Sequence, residues 1–71
     1  MKKNYILVNV FGIHGYSFMI YGEYDVNHES EVIDACLKND LFEAEEDAEF
    51  CSLAEPTDYD IKYFSDMIHE I

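Results

Sequence analysis

"NYILVNVFGIHGYSFMIYGEY", residues 4–24, decides the fold. Asn4 to Phe11 is rich in β-branched and aromatic residues, which suits a strand. Alternation sends Ile6, Val8 and Val10 to one face and Tyr5, Leu7, Asn9 and Phe11 to the other. Both faces are mostly apolar, so the strand is expected to be interior or covered on both sides. Tyr16 to Tyr24 reads as a second strand, with Tyr16, Phe18 and Ile20 on one face and Ser17, Met19 and Tyr21 on the other. Between them "GIHG" supplies Gly12 and Gly15, both free to take positive φ. Two such runs joined by a short Gly-containing loop make a hairpin.

Beyond the hairpin the period changes. Val32, Ile33, Cys36 and Leu37 form one apolar stripe, which predicts a helix over 28–38. Asn27 is the expected N-cap, Glu29 and Glu31 favour the positive first turn, and Lys38 favours the last. Asn39 is expected in the left-handed position that stops the helix. Residues 41–47 are expected to form a short turn or helical piece anchored by Leu41 and Phe42, because like charge weakens a longer helix there. Phe50 to Ala54 reads as a third strand, ended by Pro56. Thr57 with Asp60 three residues on is a capping arrangement for a last helix over Asp58 to Glu70. Its core stripe is Ile61, Phe64, Ile68 and Ile71, flanked by Tyr59, Tyr63 and Met67.

The expected architecture is one compact α+β domain over 1–71. It is a small antiparallel sheet, β-β-α-β-α in chain order, with both helices packed on one face. The second sheet face holds Leu7, Phe11, Met19 and Tyr21 and needs a cover or a partner. Seventy-one residues bury only about 60% of the surface that the unfolded chain exposes, so modest stability is expected.

The charge is uneven. Formal net charge is −12, from sixteen acids and four basic residues, all of them lysine. The stretch 1–22 has Lys2 and Lys3 and no acid, while 23–71 sets all sixteen acids against Lys38 and Lys62, a net of −14. Such a surface repels phosphates and anionic lipid and attracts basic proteins. Direct nucleic-acid binding is not expected, because phosphate neutralisation takes clustered Lys and Arg. No apolar run approaches a membrane span, and "MKKNYILVNVFGIHG" lacks the cleavage site of a signal peptide. A cytoplasmic protein is expected, with Cys36 and Cys51 as reduced, buried thiols.

Site chemistry is expected to be absent. His14, His28 and His69 share no metal-ligand spacing with either cysteine, and the acid-rich stretches lack the central Gly of a calcium loop. No nucleophile–base–acid set or phosphate loop is recognisable, so no catalytic residue, metal or cofactor is expected. The densest feature is "EAEEDAE", residues 43–49, with Glu43, Glu45, Glu46, Asp47 and Glu49. A solubilising face accounts for a net charge of about 2–8 on a small domain, and −12 exceeds it.

Packed carboxylates on a small scaffold approximate the field of duplex DNA, which carries a charge per about 1.7 Å. In size and charge the chain is similar to the small acidic inhibitors that phages and mobile elements direct against restriction or CRISPR enzymes. That likeness implies a nucleic-acid mimic occupying a basic surface of a nucleic-acid-binding protein. Tyr21, Tyr24, Tyr59 and Tyr63 lie beside Glu23, Asp25, Asp58 and Asp60, and tyrosine is enriched at interface hot spots. The expected partner-binding residues are Glu43, Glu45, Glu46, Asp47, Glu49, Asp58, Tyr59, Asp60 and Tyr63. The alternative is a neutral interaction module or homodimer that uses an apolar sheet face, with the acids serving only solubility.

Overall fold

The computed structural model describes residues 2–71. The hairpin forms as expected from β1 (Asn4–Val10) and β2 (Tyr16–Gly22). They pair antiparallel from Asn4 opposite Gly22 to Val10 opposite Tyr16. Gly12 has φ 127, and its carbonyl accepts the Gly15 N–H at 3.2 Å, closing the turn. The register sets Ile6 beside Ile20 and Val8 beside Phe18 on one face. On the other it sets Tyr5 beside Tyr21, Leu7 beside Met19 and Asn9 beside Ser17.

The first face carries the main core. Helix α1 (Glu29–Lys38) lays Val32 and Cys36 onto Ile6, Val8, Val10, Phe18 and Ile20. Its start differs from expectation by one residue: His28 is the N-cap and makes no side-chain cap bond. Asn27 is displaced because its N–H donates to Asp25 Oδ1 at 2.8 Å, a local turn that competes with capping. At the other end the left-handed residue is Asp40, φ 56, not Asn39. Leu41 N–H reaches back to the Cys36 carbonyl and Asp40 N–H to that of Leu37, a Schellman closure. Asn39 Nδ2 donates to the Ala35 carbonyl at 2.8 Å, which holds that residue on the helix side of the stop.

Residues 41–44 then drop Phe42 into the core, edge-on to Phe18 at 5.5 Å. The helical piece is a 3₁₀ turn over Glu45–Glu49, and β3 (Cys51–Ala54) follows. Strand β3 pairs antiparallel with β1, Leu7 opposite Ala54 and Val10 opposite Cys51.

The Thr57 cap is as expected. Asp60 N–H donates to Thr57 Oγ1 at 3.2 Å and Thr57 N–H donates to Asp60 Oδ2 at 3.0 Å. The helix itself does not reach Glu70. Helix α2 covers only Asp58–Tyr63, and Ile68–Glu70 forms a further strand, β4, parallel to β2. Ser65 and Asp66 supply the turn, and the free edge of β2 at Met19–Tyr21 offers hydrogen bonds that outweigh helix propensity.

The α+β class therefore holds, with corrections to the layout. The sheet is mixed, not purely antiparallel, in the order β3-β1-β2-β4. The helices do not share one face. Strands β3 and β4 are opposite edges, so the connection carrying α2 must cross the sheet. It crosses beside Leu7, Asn9 and Ser17, the face away from α1. The cover that this face requires thus comes partly from α2, and Met19, which points into it, is 0% exposed. No described helix is long and apolar enough to cross a membrane.

Candidate protein-binding surfaces

The acidic segment is held in place by the hairpin. The Tyr16 hydroxyl donates to Asp47 Oδ2 at 2.6 Å and accepts the Glu43 N–H at 2.8 Å. Asp47 Oδ2 also accepts the Ala44 N–H at 3.3 Å, and Phe50 closes the 3₁₀ turn by donating to the Asp47 carbonyl at 3.0 Å. Burial is the main cause that raises the Tyr16 hydroxyl above its ordinary value, and the Asp47 bond adds to it. Asp47 is thus half-buried and structural, while Glu43, Glu45, Glu46 and Glu49 are exposed.

The 3₁₀ turn packs against α1. Together they form one outer layer over the core face, and its acids extend past the cluster read from the sequence. Glu29, Glu31, Asp34 and Asp40 are also exposed on it. Between 29 and 49 this layer sets nine acids against Lys38 alone. Among the described residues no lysine pairs with any of the nine; Lys3 pairs instead with Glu70 at 2.9 Å, and His28 Nδ1 lies 3.8 Å from the Glu31 carboxylate. The α1 acids were legible in the sequence as the positions off the apolar stripe, and only their adjacency to 43–49 was not.

The other expected binding residues lie elsewhere. Asp58, Tyr59, Asp60 and Tyr63 sit on α2, across the sheet from the acidic layer. The two sets therefore do not make one surface. Asp60 is committed to the Thr57 cap, Asp58 is exposed, and Tyr59 and Tyr63 stack with ring centroids 6.5 Å apart. With Leu7, Asn9, Ser17 and Phe64 they line a groove of about 260 Å³.

A third feature joins Phe11, expected on the face that needs a cover, to Ile13 and Phe50, which no local signal in the sequence brings beside it. Phe11, Ile13 and Phe50 are exposed at the hairpin end of the sheet, where the Phe11 N–H donates to the Phe50 carbonyl at 2.8 Å. Ile13, between Gly12 and His14 in the turn, is 98% exposed.

Other chemistry is sparse. A hollow of about 440 Å³ lies at the opposite end of the sheet and is bordered by Tyr5, Asp25, Val26, Glu55 and Pro56. Its lining holds no His, Cys or Lys. Among the described residues no three His, Cys, Asp or Glu side chains converge as a metal site. Cys36 and Cys51 are free thiols. Burial pushes the Cys36 thiol up to about 11. Burial also raises that of Cys51, with Glu29 adding to it. No protein-family model matches the chain, and no curated protein or solved structure matches it significantly.

Proposed function

We propose that the protein acts by protein–protein contact, as a small acidic inhibitor that occupies a basic, nucleic-acid-binding surface of an enzyme. The observation that carries this reading is the α1–3₁₀ layer, with nine carboxylates and one lysine on one side of the sheet. Carboxylates held on a packed scaffold present a fixed pattern of charge, and Asp47 and Tyr16 keep the segment from collapsing or fraying. A Lys/Arg groove built for a phosphate backbone is the complementary surface. Enzymes that cut nucleic acid, restriction and CRISPR nucleases of phage hosts among them, are the targets proposed, and the cytoplasm is where those targets and reduced thiols occur together.

A second reading is an interaction module or homodimer that uses apolar surface. Phe11, Ile13 and Phe50 favour it, since exposed apolar clusters mark association sites.

Salt and charge separate the two. The experiment is inhibition of a panel of nucleic-acid-cleaving enzymes by the wild type and by a Glu43/Glu45/Glu46/Glu49→Gln variant, between about 50 and 200 mM salt. Removing four charges is expected to slow association at least about ten-fold, and the wild type is expected to weaken steeply with salt. Equal potency of both proteins at every salt concentration overturns the acidic-surface reading.

A further inference from the structure

We propose that the groove between α2 and the sheet is a docking site for an arginine side chain carried on a basic polypeptide segment of a partner. This is a second binding surface, separated by the sheet from the acidic layer. Its exposed wall is Tyr59 and Tyr63, 75% and 67% exposed, with rings inclined by only 23°. Two near-parallel tyrosines offer flat π-faces to a flat cation. The lining selects a cation, because among the described residues Asp60 is the one charged side chain that borders the groove.

The floor narrows the choice further. Ser17 Oγ donates to Asn9 Oδ1 at 2.7 Å, so Ser17 retains its lone pairs as acceptors. Thr57 N–H takes Asp60 Oδ2, leaving Oδ1 to accept. A guest with several donors, no acceptor and two stacking faces fits these groups, and that is a guanidinium. A lysine ammonium is a strongly hydrated point charge and gains little from the stacked rings. A nucleic-acid base brings a phosphate that the acids repel, and a second copy of the chain brings its own net −12. A volume of about 260 Å³ has room for one long side chain, not for a folded element.

The test is a two-dimensional NMR titration with capped tetra-arginine and capped tetra-lysine peptides of equal charge. The arginine peptide is expected to move the Tyr59 and Tyr63 ring signals and the Asn9 and Ser17 amides, binding there about three-fold or more tighter than the lysine peptide. Tyr59→Leu and Tyr63→Leu, both at exposed positions, are each expected to remove that preference while the signals of Val8 and Ile20 stay in place. Equal response to the two peptides in the groove, or no response there, overturns the proposal. So does a shift of the same signals with protein concentration alone, which assigns the groove to a second copy. Signals from residues 29–49 are read separately. A response confined to them removes the groove and leaves the acidic surface standing, and the converse pattern does the opposite.

Discussion

The Tyr16 hydroxyl bonds to both the carboxylate of Asp47 and the amide of Glu43, so one phenol in the hairpin pins the acidic segment at two points. Tyr16→Phe removes both bonds and leaves Asp47 half-buried with only the Ala44 amide. The expected loss is about 1.5–3 kcal/mol, the range for hydrogen bonds to charged groups. Amides of residues 43–50 should exchange faster with solvent in the variant. Glu46→Gln, at an exposed position, should change stability by no more than about 0.5 kcal/mol. Denaturant unfolding of the two variants measures the contrast, and equal midpoints would deny Asp47 its structural role.

Phe42 and Phe64 should behave differently. Phe42 is buried against Phe18, while Phe64 is half-buried at the end of α2. Phe42→Ala is expected to cost about 3–5 kcal/mol, close to the whole stability of so small a domain. Thermal melts should show Phe42→Ala largely unfolded at room temperature and Phe64→Ala still cooperative. The reverse result would place the core on the wrong side of the sheet.

Asp40 stops α1 in a conformation better suited to glycine. Asp40→Gly relieves the left-handed strain and removes a negative charge from the helix C-terminus, where the dipole disfavours it. The left-handed cost of about 1–2 kcal/mol, less the extra entropy that Gly loses on folding, about 0.5–1 kcal/mol, leaves an expected gain of about 0.5–1 kcal/mol, measured as a raised denaturation midpoint. A loss would show that the Asp40 side chain contributes more than its backbone costs.

Alkaline pH should destabilise the protein through Cys36. Its thiol ionises near its ordinary value of 9.0 when unfolded and is held protonated to about 11 when folded. The folded state binds the extra proton in that window, so the stabilisation is complete below about 9 and is lost as pH rises to about 11. Tyr16, also raised by burial, adds to the same trend above 10.0. Cys36→Ala should flatten the fall of stability within this window relative to the wild type. An unchanged slope would remove the buried thiol as its source.

What could be read from the sequence followed the range of the interactions. The hairpin, the α1 stripe and the Thr57–Asp60 cap rest on residues close in the chain, and each is legible by period or motif. Strand β4 is not. Ile61, Phe64, Ile68 and Ile71 step by three, four and three, which suits one helical face, yet Ile68 to Glu70 suits a strand equally. Only the open edge of β2, far back in the chain, decides between them. The same holds for the binding surfaces. The acids and tyrosines are plain in the sequence, whereas the sheet that separates 43–49 from 58–63 appears only when β3 and β4 are placed at opposite edges. Asp47 looked like its neighbours because Tyr16, its partner, is 31 positions away.

The pairing of β4 with β2 has a consequence for the order of folding. The hairpin can close within about 1–10 μs once its residues exist, but Met19 waits for Ile68 and Tyr21 for Glu70. During synthesis the β2 edge therefore stays open until Ile68–Glu70 have left the ribosome. Gly22 keeps even that late arrival demanding, because any Cβ there would collide with the Ile71 carbonyl. The nascent hairpin is thus the state most exposed to pairing with a neighbouring chain, and the dense negative charge that follows it in the sequence keeps such neighbours apart.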